Sequence, residues 1–314
     1  MGRERREKGE VEEQMDSEKR GERLRKPEWL KVNLGGGESY ADVSKLLEKQ
    51  GLHTICSSGR CPNQGECWRE GTATFMILGD VCTRQCRFCA TATGRPLPPD
   101  EGEAMRVAQS AKEMGLRHVV VTSVDRDDLA DGGAAQWRAL IQSMRRECPS
   151  ATLEVLLPDF MGKPFALESV LLQHPDIAAH NIETVERLTA EVRLRARYGY
   201  SMNVLSRVAL GDAVCKSGFM LGLGERQEEV LKTLQDLLSA GVQVVTIGQY
   251  LQPTRHHYPV QRYVSPEEFD ALRREAEQMG FRYVEAGPLV RSSFHAARAL
   301  AACGVKPRRG ASEK

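Results

Sequence analysis

The stretch Ala73-Thr74-Phe75-Met76-Ile77-Leu78-Gly79-Asp80-Val81-Cys82-Thr83-Arg84-Gln85-Cys86-Arg87-Phe88-Cys89 sets a strand directly against a cluster of thiols. Residues Ala73–Leu78 are an apolar run of strand length, rich in residues that favour a pleated surface. Gly79-Asp80 then breaks the run, because both residues favour turns. Cys82, Cys86 and Cys89 follow in a Cys-x3-Cys-x2-Cys spacing. Three sulfurs this close, just past the carboxyl end of a strand, read as a metal-binding strand-to-helix loop.

Working outward, runs of the same kind recur at His118–Thr122, Thr152–Leu157, Ile177–His180, Lys216–Leu221 and Val242–Ile247, with a seventh apolar stretch at Phe281–Ala286. Segments with helical periodicity lie between them, near 102–115, 134–147, 164–173, 184–210 and 226–240. A helix over 265–279 opens with Ser265-Pro266-Glu267-Glu268, a serine N-cap followed by proline at the first helical position. A short amphipathic helix is also expected over 39–50. Alternating strands and helices demand a parallel sheet with right-handed crossovers. Six such units predict an α/β fold built as an open, partial (β/α)6 barrel, with chemistry at the carboxyl ends of the strands. A doubly wound open sheet is the alternative from the pattern alone.

Hydrophobic residues at 41% and charged residues at 28% allow a full core. The net charge of +1 gives no electrostatic reason to expect nucleic acid or a membrane surface as partner. No apolar run approaches the roughly 18 residues of a membrane-spanning helix. Residues 1–26 hold 17 charges of both signs and almost nothing apolar, which predicts a disordered tail. Of nine cysteines, six fall within Cys56–Cys89, and no apolar leader precedes them. An odd, clustered count points to metal in a reducing, cytoplasmic compartment, not to disulfides. The expected organisation is a tail over 1–28, a cysteine-bearing extension over 29–71, the barrel over 72–287 and a C-terminal segment over 288–314.

Three thiolates can hold three irons of a [4Fe–4S] cube and leave the fourth open to a small ligand. Structural zinc normally takes four protein ligands, often from Cys-x2-Cys pairs, and no fourth ligand stands at that spacing here. A second triplet lies upstream as Cys56-x4-Cys61-x5-Cys67, with Gly59, Pro62 and Gly65 allowing a tight loop. Cys148, Cys215 and Cys303 are isolated and read as small buried hydrophobes. Met220-Leu221-Gly222-Leu223-Gly224 lacks the Lys-Ser/Thr of a phosphate loop.

The first triplet, with the aromatic Phe88 before its last cysteine, resembles the signature of the radical S-adenosylmethionine (SAM) superfamily. The resemblance implies a barrel of that type, a [4Fe–4S] cluster on Cys82, Cys86 and Cys89, and SAM chelated at the open iron. It further implies reductive cleavage of SAM to a 5′-deoxyadenosyl radical, with the protein supplying a dry, shaped pocket. Both triplets together, with Arg291-Ser292-Ser293-Phe294, are similar to the lipoyl synthase family over roughly residues 29–305. In that family Cys56, Cys61 and Cys67 would hold an auxiliary [4Fe–4S] cluster with a serine as fourth ligand, from an Arg-Ser-Ser-Tyr motif. Phe294 departs from the tyrosine and removes one hydroxyl. Spacing leaves Ser292 and Ser293 both open, and Ser293 is the expected ligand.

The resemblance implies sulfur insertion at C6 and C8 of a protein-bound octanoyl-lysine, with sulfur drawn from the auxiliary cluster. Implied partners are octanoylated lipoyl carrier domains or the glycine-cleavage H protein, an electron donor such as ferredoxin or flavodoxin, and an iron–sulfur carrier. At the strand ends, Thr122, Ser123 and Asp125 are expected to hold the SAM amino group or ribose, and Asn181 and Glu183 to bind SAM or steer substrate. Arg193 or Arg195 is expected to pair with the methionine carboxylate. Lys216, Gln249 and His257 complete the expected rim. The nearest competing readings are a biotin-synthase-like sulfur inserter or a methylthiotransferase, and, from another class, a non-enzymatic iron–sulfur carrier or sensor. A zinc-stabilised nucleic-acid module has no basic stripe to support it.

Overall fold

The computed structural model of the chain describes residues 24–31, 45, 47–58, 61, 63, 74–294 and 296–305. The expected charged tail up to residue 23, most of the helix over 39–50, Cys67 with most of its loop, and residues from 306 onward lie outside the described residues. The strands are β1 (His53–Thr54), β2 (Thr74–Ile77), β3 (Val81–Cys82), β4 (Ala92–Thr93), β5 (His118–Ser123), β6 (Thr152–Leu156), β7 (Ile177–Ala179), β8 (Val214–Leu221), β9 (Val244–Gln249) and β10 (Tyr283–Gly287). The longer helices are α1 (Glu103–Glu113), α2 (Ala134–Glu147), α3 (Pro164–Leu171), α4 (Glu186–Val192), α5 (Tyr198–Ala209), α6 (Gln227–Ser239) and α7 (Pro266–Met279).

The main sheet has the order β1-β2-β5-β6-β7-β8-β9-β10. Every pair is parallel except β1 with β2, which run antiparallel. From β2 onward the strand order follows the chain without reversal. A doubly wound sheet reverses at a switch point, so that alternative is excluded. β1 and β10 are the two edges, which leaves the barrel open. The six expected strands are all present, and the seventh apolar stretch joins them as β10, with Tyr283 opposite Val244.

The core lies where helices cover the sheet. Trp137, Leu140, Ile141 and Met144 of α2 are buried at about the helical repeat, and Val119, Val121, Leu153 and Val155 of β5 and β6 are buried with them. α7 begins as its sequence demands. Ser265 Oγ accepts from Glu268 N at 3.2 Å, the Glu268 carboxylate accepts from Ser265 N at 3.1 Å, and Pro266 occupies the first turn. The periodic stretch 184–210 is two helices, not one. It breaks after α4 because Arg193 leaves helical geometry (φ −119°, ψ 45°) and sends its guanidinium to Ile182 O and Ser201 Oγ, both at 3.1 Å. Among the described residues no helix is long and apolar enough to cross a membrane.

Candidate functional site

A cavity of about 690 Å³ opens at the carboxyl ends of the strands. Cys82, Cys86 and Cys89 line it, and so do Cys56 and Cys61 and the C-terminal Arg291, Ser292 and Ser293. The two cysteine groups therefore face one space, apart from Cys67, which lies outside the described residues.

The loop bearing the first group is pinned from below. β3 and β4 form a two-residue parallel ribbon that closes it, with Cys82 opposite Thr93. Thr83 donates through its amide and hydroxyl to Asp125 O, at 3.1 and 2.9 Å, and Thr83 Oγ1 accepts from Asp127 N at 3.0 Å. Cys82 Sγ accepts from the amides of Arg84 and Asp125, at 3.4 and 3.3 Å. Arg84 is buried and forks onto two carboxylates, reaching Asp127 at 2.8 and 2.8 Å and Asp159 at 2.9 and 2.6 Å. Only the acid-rich run Asp125-Arg126-Asp127-Asp128 hints at this clamp in the sequence.

Burial pushes the Cys86 thiol up to about 12, against the opposing charge of Arg193, and burial also raises Cys82 and Cys89. Without metal the three stay protonated, and binding a cluster would release protons. Among the described residues no three Cys, His, Asp or Glu side chains form a group placed to hold a single metal ion. Three thiols lining one cavity of this size suit a cluster that takes one thiolate on each of three irons.

The second group is assembled by long-range contacts. Cys56 sits in a helical turn, Ile55–Ser58, that follows β1, and Cys61 N donates back to Cys56 O at 2.9 Å. Asn63 Nδ2 donates to Leu289 O at 2.6 Å, and Thr74 Oγ1 donates to Ser293 Oγ at 2.9 Å. A small recess beside the main cavity is lined by Cys56, Cys61, Thr74, Arg291 and Ser293, but not by Ser292. That arrangement favours Ser293 of the two serines, and an oxygen donor beside two thiols suits a cluster with one labile site. Asn63 and Thr74 were not anticipated, because nothing local in the sequence ties them to residues more than two hundred positions away.

Of the expected SAM contacts, Thr122, Ser123, Asp125, Asn181, Glu183 and Arg193 all line the cavity, as does Phe88. Among the described residues, Ser123 Oγ and Arg193 Nε are buried without a hydrogen-bond partner, so both have capacity for a ligand. Burial raises Asp125 to about 6, partly offset by Arg84, and burial raises Glu183, opposed by Arg193. Glu183 holds φ at +65°, a conformation that L residues rarely adopt. It is fixed there by Glu183 N to Gly218 O at 3.1 Å and Met220 N to Glu183 O at 2.9 Å. A Cβ on Gly218 would meet Thr246 Oγ1 at 2.3 Å, so only glycine keeps this wall clear.

Two expectations, Lys216 and His257, need correction, and two others, Gln249 and the choice between Arg193 and Arg195, are narrowed. Lys216 is not on the rim. It is 1% exposed and its amine binds Glu154 Oε1 at 2.7 Å, because it lies toward the amino end of β8, away from the mouth. Gln249 reaches the cavity wall, but its amide is spent. Nε2 donates to Leu221 O, Tyr250 O and Arg262 O at 3.2, 3.0 and 3.1 Å, and Oε1 accepts from Val264 N at 2.8 Å. Arg195 is 65% exposed with a 4.0 Å approach to Asp127, and of the two candidates Arg193 is the one that lines the cavity. His257 stands behind the cysteine loop, with Nε2 3.0 Å from Cys89 O.

A model of the Radical SAM superfamily matches residues 76–248, and a model of the N-terminal domain of lipoyl synthase matches residues 2–61. The chain is 55% identical over 278 residues to the lipoyl synthase of Porphyromonas gingivalis strain W83, covering 88% of this chain and 99% of that one. Identity is 52% to the lipoyl synthase of Parabacteroides distasonis (87% and 97% covered) and 52% to that of Flavobacterium psychrophilum (86% and 94% covered). Among solved structures, Streptococcus suis SuiB bound to S-adenosylmethionine aligns with TM-score 0.56 at 11% identity, over 71% of this chain and 53% of that longer one. Methylornithine synthase aligns with TM-score 0.52 at 14% identity, over 88% and 95%. At such identities these two alignments speak for the fold alone.

Proposed function

The chain belongs to the lipoyl synthase family of the radical SAM superfamily, and from that premise we propose that it inserts sulfur at C6 and C8 of an octanoyl chain carried on a lysine of a partner protein. Cys82, Cys86 and Cys89 would hold a [4Fe–4S] cluster, which would supply one-electron cleavage of SAM and with it hydrogen abstraction from unactivated carbon. A second [4Fe–4S] cluster, held by Cys56, Cys61, Cys67 and Ser293, is the sulfur donor and therefore a substrate.

The chain's own residues bind, aim and exclude water. Arg84 and Thr83 hold the first cysteine loop in place. Arg193 takes the SAM carboxylate. Asp125, Asn181, Glu183, Thr122 and Ser123 receive its amino group and ribose. Met76, Leu156, Phe219 and Val290 keep the remaining wall apolar, which protects a reactive intermediate from solvent. Ser293, held by Thr74, is an oxygen donor that iron releases more readily than thiolate. No acid–base pair is needed, since an unactivated C–H bond offers no proton to a base.

The finer assignments follow the same reading. Residues 29–71 and 288–314 build the sulfur-donor side and 72–287 the barrel. The carrier is a lipoyl domain or the glycine-cleavage H protein, the electron donor a ferredoxin or flavodoxin, an iron–sulfur carrier rebuilds the spent cluster, and the work is done in the cytoplasm. The observation that carries the proposal is the single cavity lined by Cys56 and Cys61 on one side and Cys82, Cys86 and Cys89 on the other.

Anoxic incubation with an octanoylated carrier peptide, read by mass spectrometry, tests it. Cys82→Ala, Cys86→Ala or Cys89→Ala should abolish SAM cleavage. Cys56→Ala, Cys61→Ala or Cys67→Ala should spare cleavage and stop product, with iron falling from about eight to about four per chain. Lipoyl product from the second set would remove the sulfur-donor role.

A further inference from the structure

After β9 the chain runs as an irregular strap, residues 250–264, before entering α7. Gln249 ties both ends of the strap through Tyr250 O, Arg262 O and Val264 N. Its middle touches the loop of Cys82–Cys89 in two places. Tyr258 N donates to Arg87 O at 2.8 Å, with the Arg87 guanidinium 5.0 Å over the Tyr258 ring. His257 Nε2 lies 3.0 Å from Cys89 O.

The surrounding bonds fix the orientation of that imidazole. A carbonyl oxygen only accepts, so Nε2 carries the proton toward Cys89. On its other side the ring places Nδ1 2.8 Å from Thr254 Oγ1. Thr254 Oγ1 also accepts from His256 N at 3.3 Å, which ties it to the same turn. The ring is held at both nitrogens and aimed by a turn of its own strap.

We propose that His257 is a positioning residue for the SAM-cleaving centre: its Nε2–H bond to Cys89 O fixes the peptide bearing the third thiol and tunes the electron affinity of the group that thiol ligates. The inference rests on the reading of Cys82, Cys86 and Cys89 as cluster ligands. Hydrogen bonds and oriented dipoles around the ligands are a main lever on such a cluster's reduction potential, and partners one step removed from the metal commonly matter 10–100-fold. Withdrawing a donor from the ligand's own peptide makes the added electron less welcome.

The test uses the full chain, reconstituted without oxygen, in the Cys56→Ala, Cys61→Ala background so that one cluster remains. Three variants are compared for iron content, for midpoint potential by EPR-monitored titration, and for SAM cleavage. His257→Leu should keep its iron, shift the midpoint to a lower potential and lose roughly tenfold or more in kcat, with KM for SAM little changed. His257→Gln, which offers an N–H at similar reach, should recover most of that loss. Thr254→Val, which frees the ring's orientation, should move the potential the same way by less. Unchanged potential and kcat in His257→Leu, or failure of glutamine to rescue, overturns the inference. If His257→Leu does not load iron, an unshifted potential in Thr254→Val overturns it instead. A parent chain that takes up no cluster at all overturns the underlying ligand assignment as well.

Discussion

Replacing Arg84 with methionine deletes a guanidinium that is 5% exposed and makes four hydrogen bonds, two each to Asp127 and Asp159. The acceptors are hidden too, with side-chain exposures of 10% and 2%, and Asp125 approaches to 3.5 Å. Methionine fills much of the same space, so the cost is one of charge and not of cavity. Three carboxylates then crowd together with their clamping cation gone, and breaking a buried pair in this way costs about 3–5 kcal/mol. Burial alone would disfavour the charged guanidinium, yet its carboxylate partners hold it above the ordinary arginine value. Asp159 answers in kind: burial would raise it, but Arg84 draws it down to about 2. The assay is anoxic urea unfolding of the metal-free chain, so that metal binding does not mask the loss. It compares the parent, Arg84→Met, Asp159→Asn and the double variant. The double variant should be less damaged than the sum of the singles, with a coupling of about 2 kcal/mol. The Arg84→Met deficit should also shrink as the pH falls to about 4, where the stranded carboxylates can protonate. A loss below about 1 kcal/mol, or simple additivity, would refute the view that this clamp holds the cysteine loop.

Lys216→Met should unfold more easily by about 3–5 kcal/mol, because it strands the 1% exposed Glu154, while KM for SAM stays constant in whatever folds. A large rise in that KM would return Lys216 to the rim. His180 gives a pH signature. It is 2% exposed, Nδ1 faces Leu157 O at 2.8 Å and Nε2 faces Ser201 Oγ at 2.9 Å, and burial with nearby Arg193 holds its pKa at about 4 against 6.5. The unfolded chain therefore binds the proton first as pH falls, so the stability is complete above about pH 6.5 and drains away toward pH 4. His180→Gln should flatten that slope in unfolding titrations, and an unaltered slope would place the acid sensitivity elsewhere.

Local pattern carried most of the fold because the central strands β2 and β5 to β9 are buried on both faces, and such strands read as plain apolar runs. β5, β6 and α2 fall within a residue or so of their expected bounds. The break inside 184–210 was invisible because the apolar period continues through Leu188, Val192 and Ala196, all buried. What stops the helix is a tertiary choice by Arg193, whose guanidinium finds Ile182 O and Ser201 Oγ. Lys216 and Gln249 misled for a related reason. A strand's sequence says which residues it contains, not which end faces the mouth with polar atoms to spare. Lys216 belongs to the amino end of its strand, and Gln249, at the right end, has spent its amide on the strap.

The meeting of the two cysteine groups was the least legible feature, and the reason is chain separation. Each triplet has a local spacing that marks it as metal-binding, but no period or propensity relates Thr74 to Ser293, or Asn63 to Leu289, across 219 and 226 residues. Their contact depends on how β9 ends. At Gly248 an added Cβ would meet Val290 O at 2.2 Å, backbone against side chain, so the C-terminal segment can lie against the strand only because that position is bare. One residue later, Gln249 anchors the strap that reaches Cys89 from the other side. Two neighbouring residues thus brace both cysteine groups at once, which explains how a cavity this wide keeps its two walls in register while the sequence, read locally, shows only a glycine and a glutamine at the end of a strand.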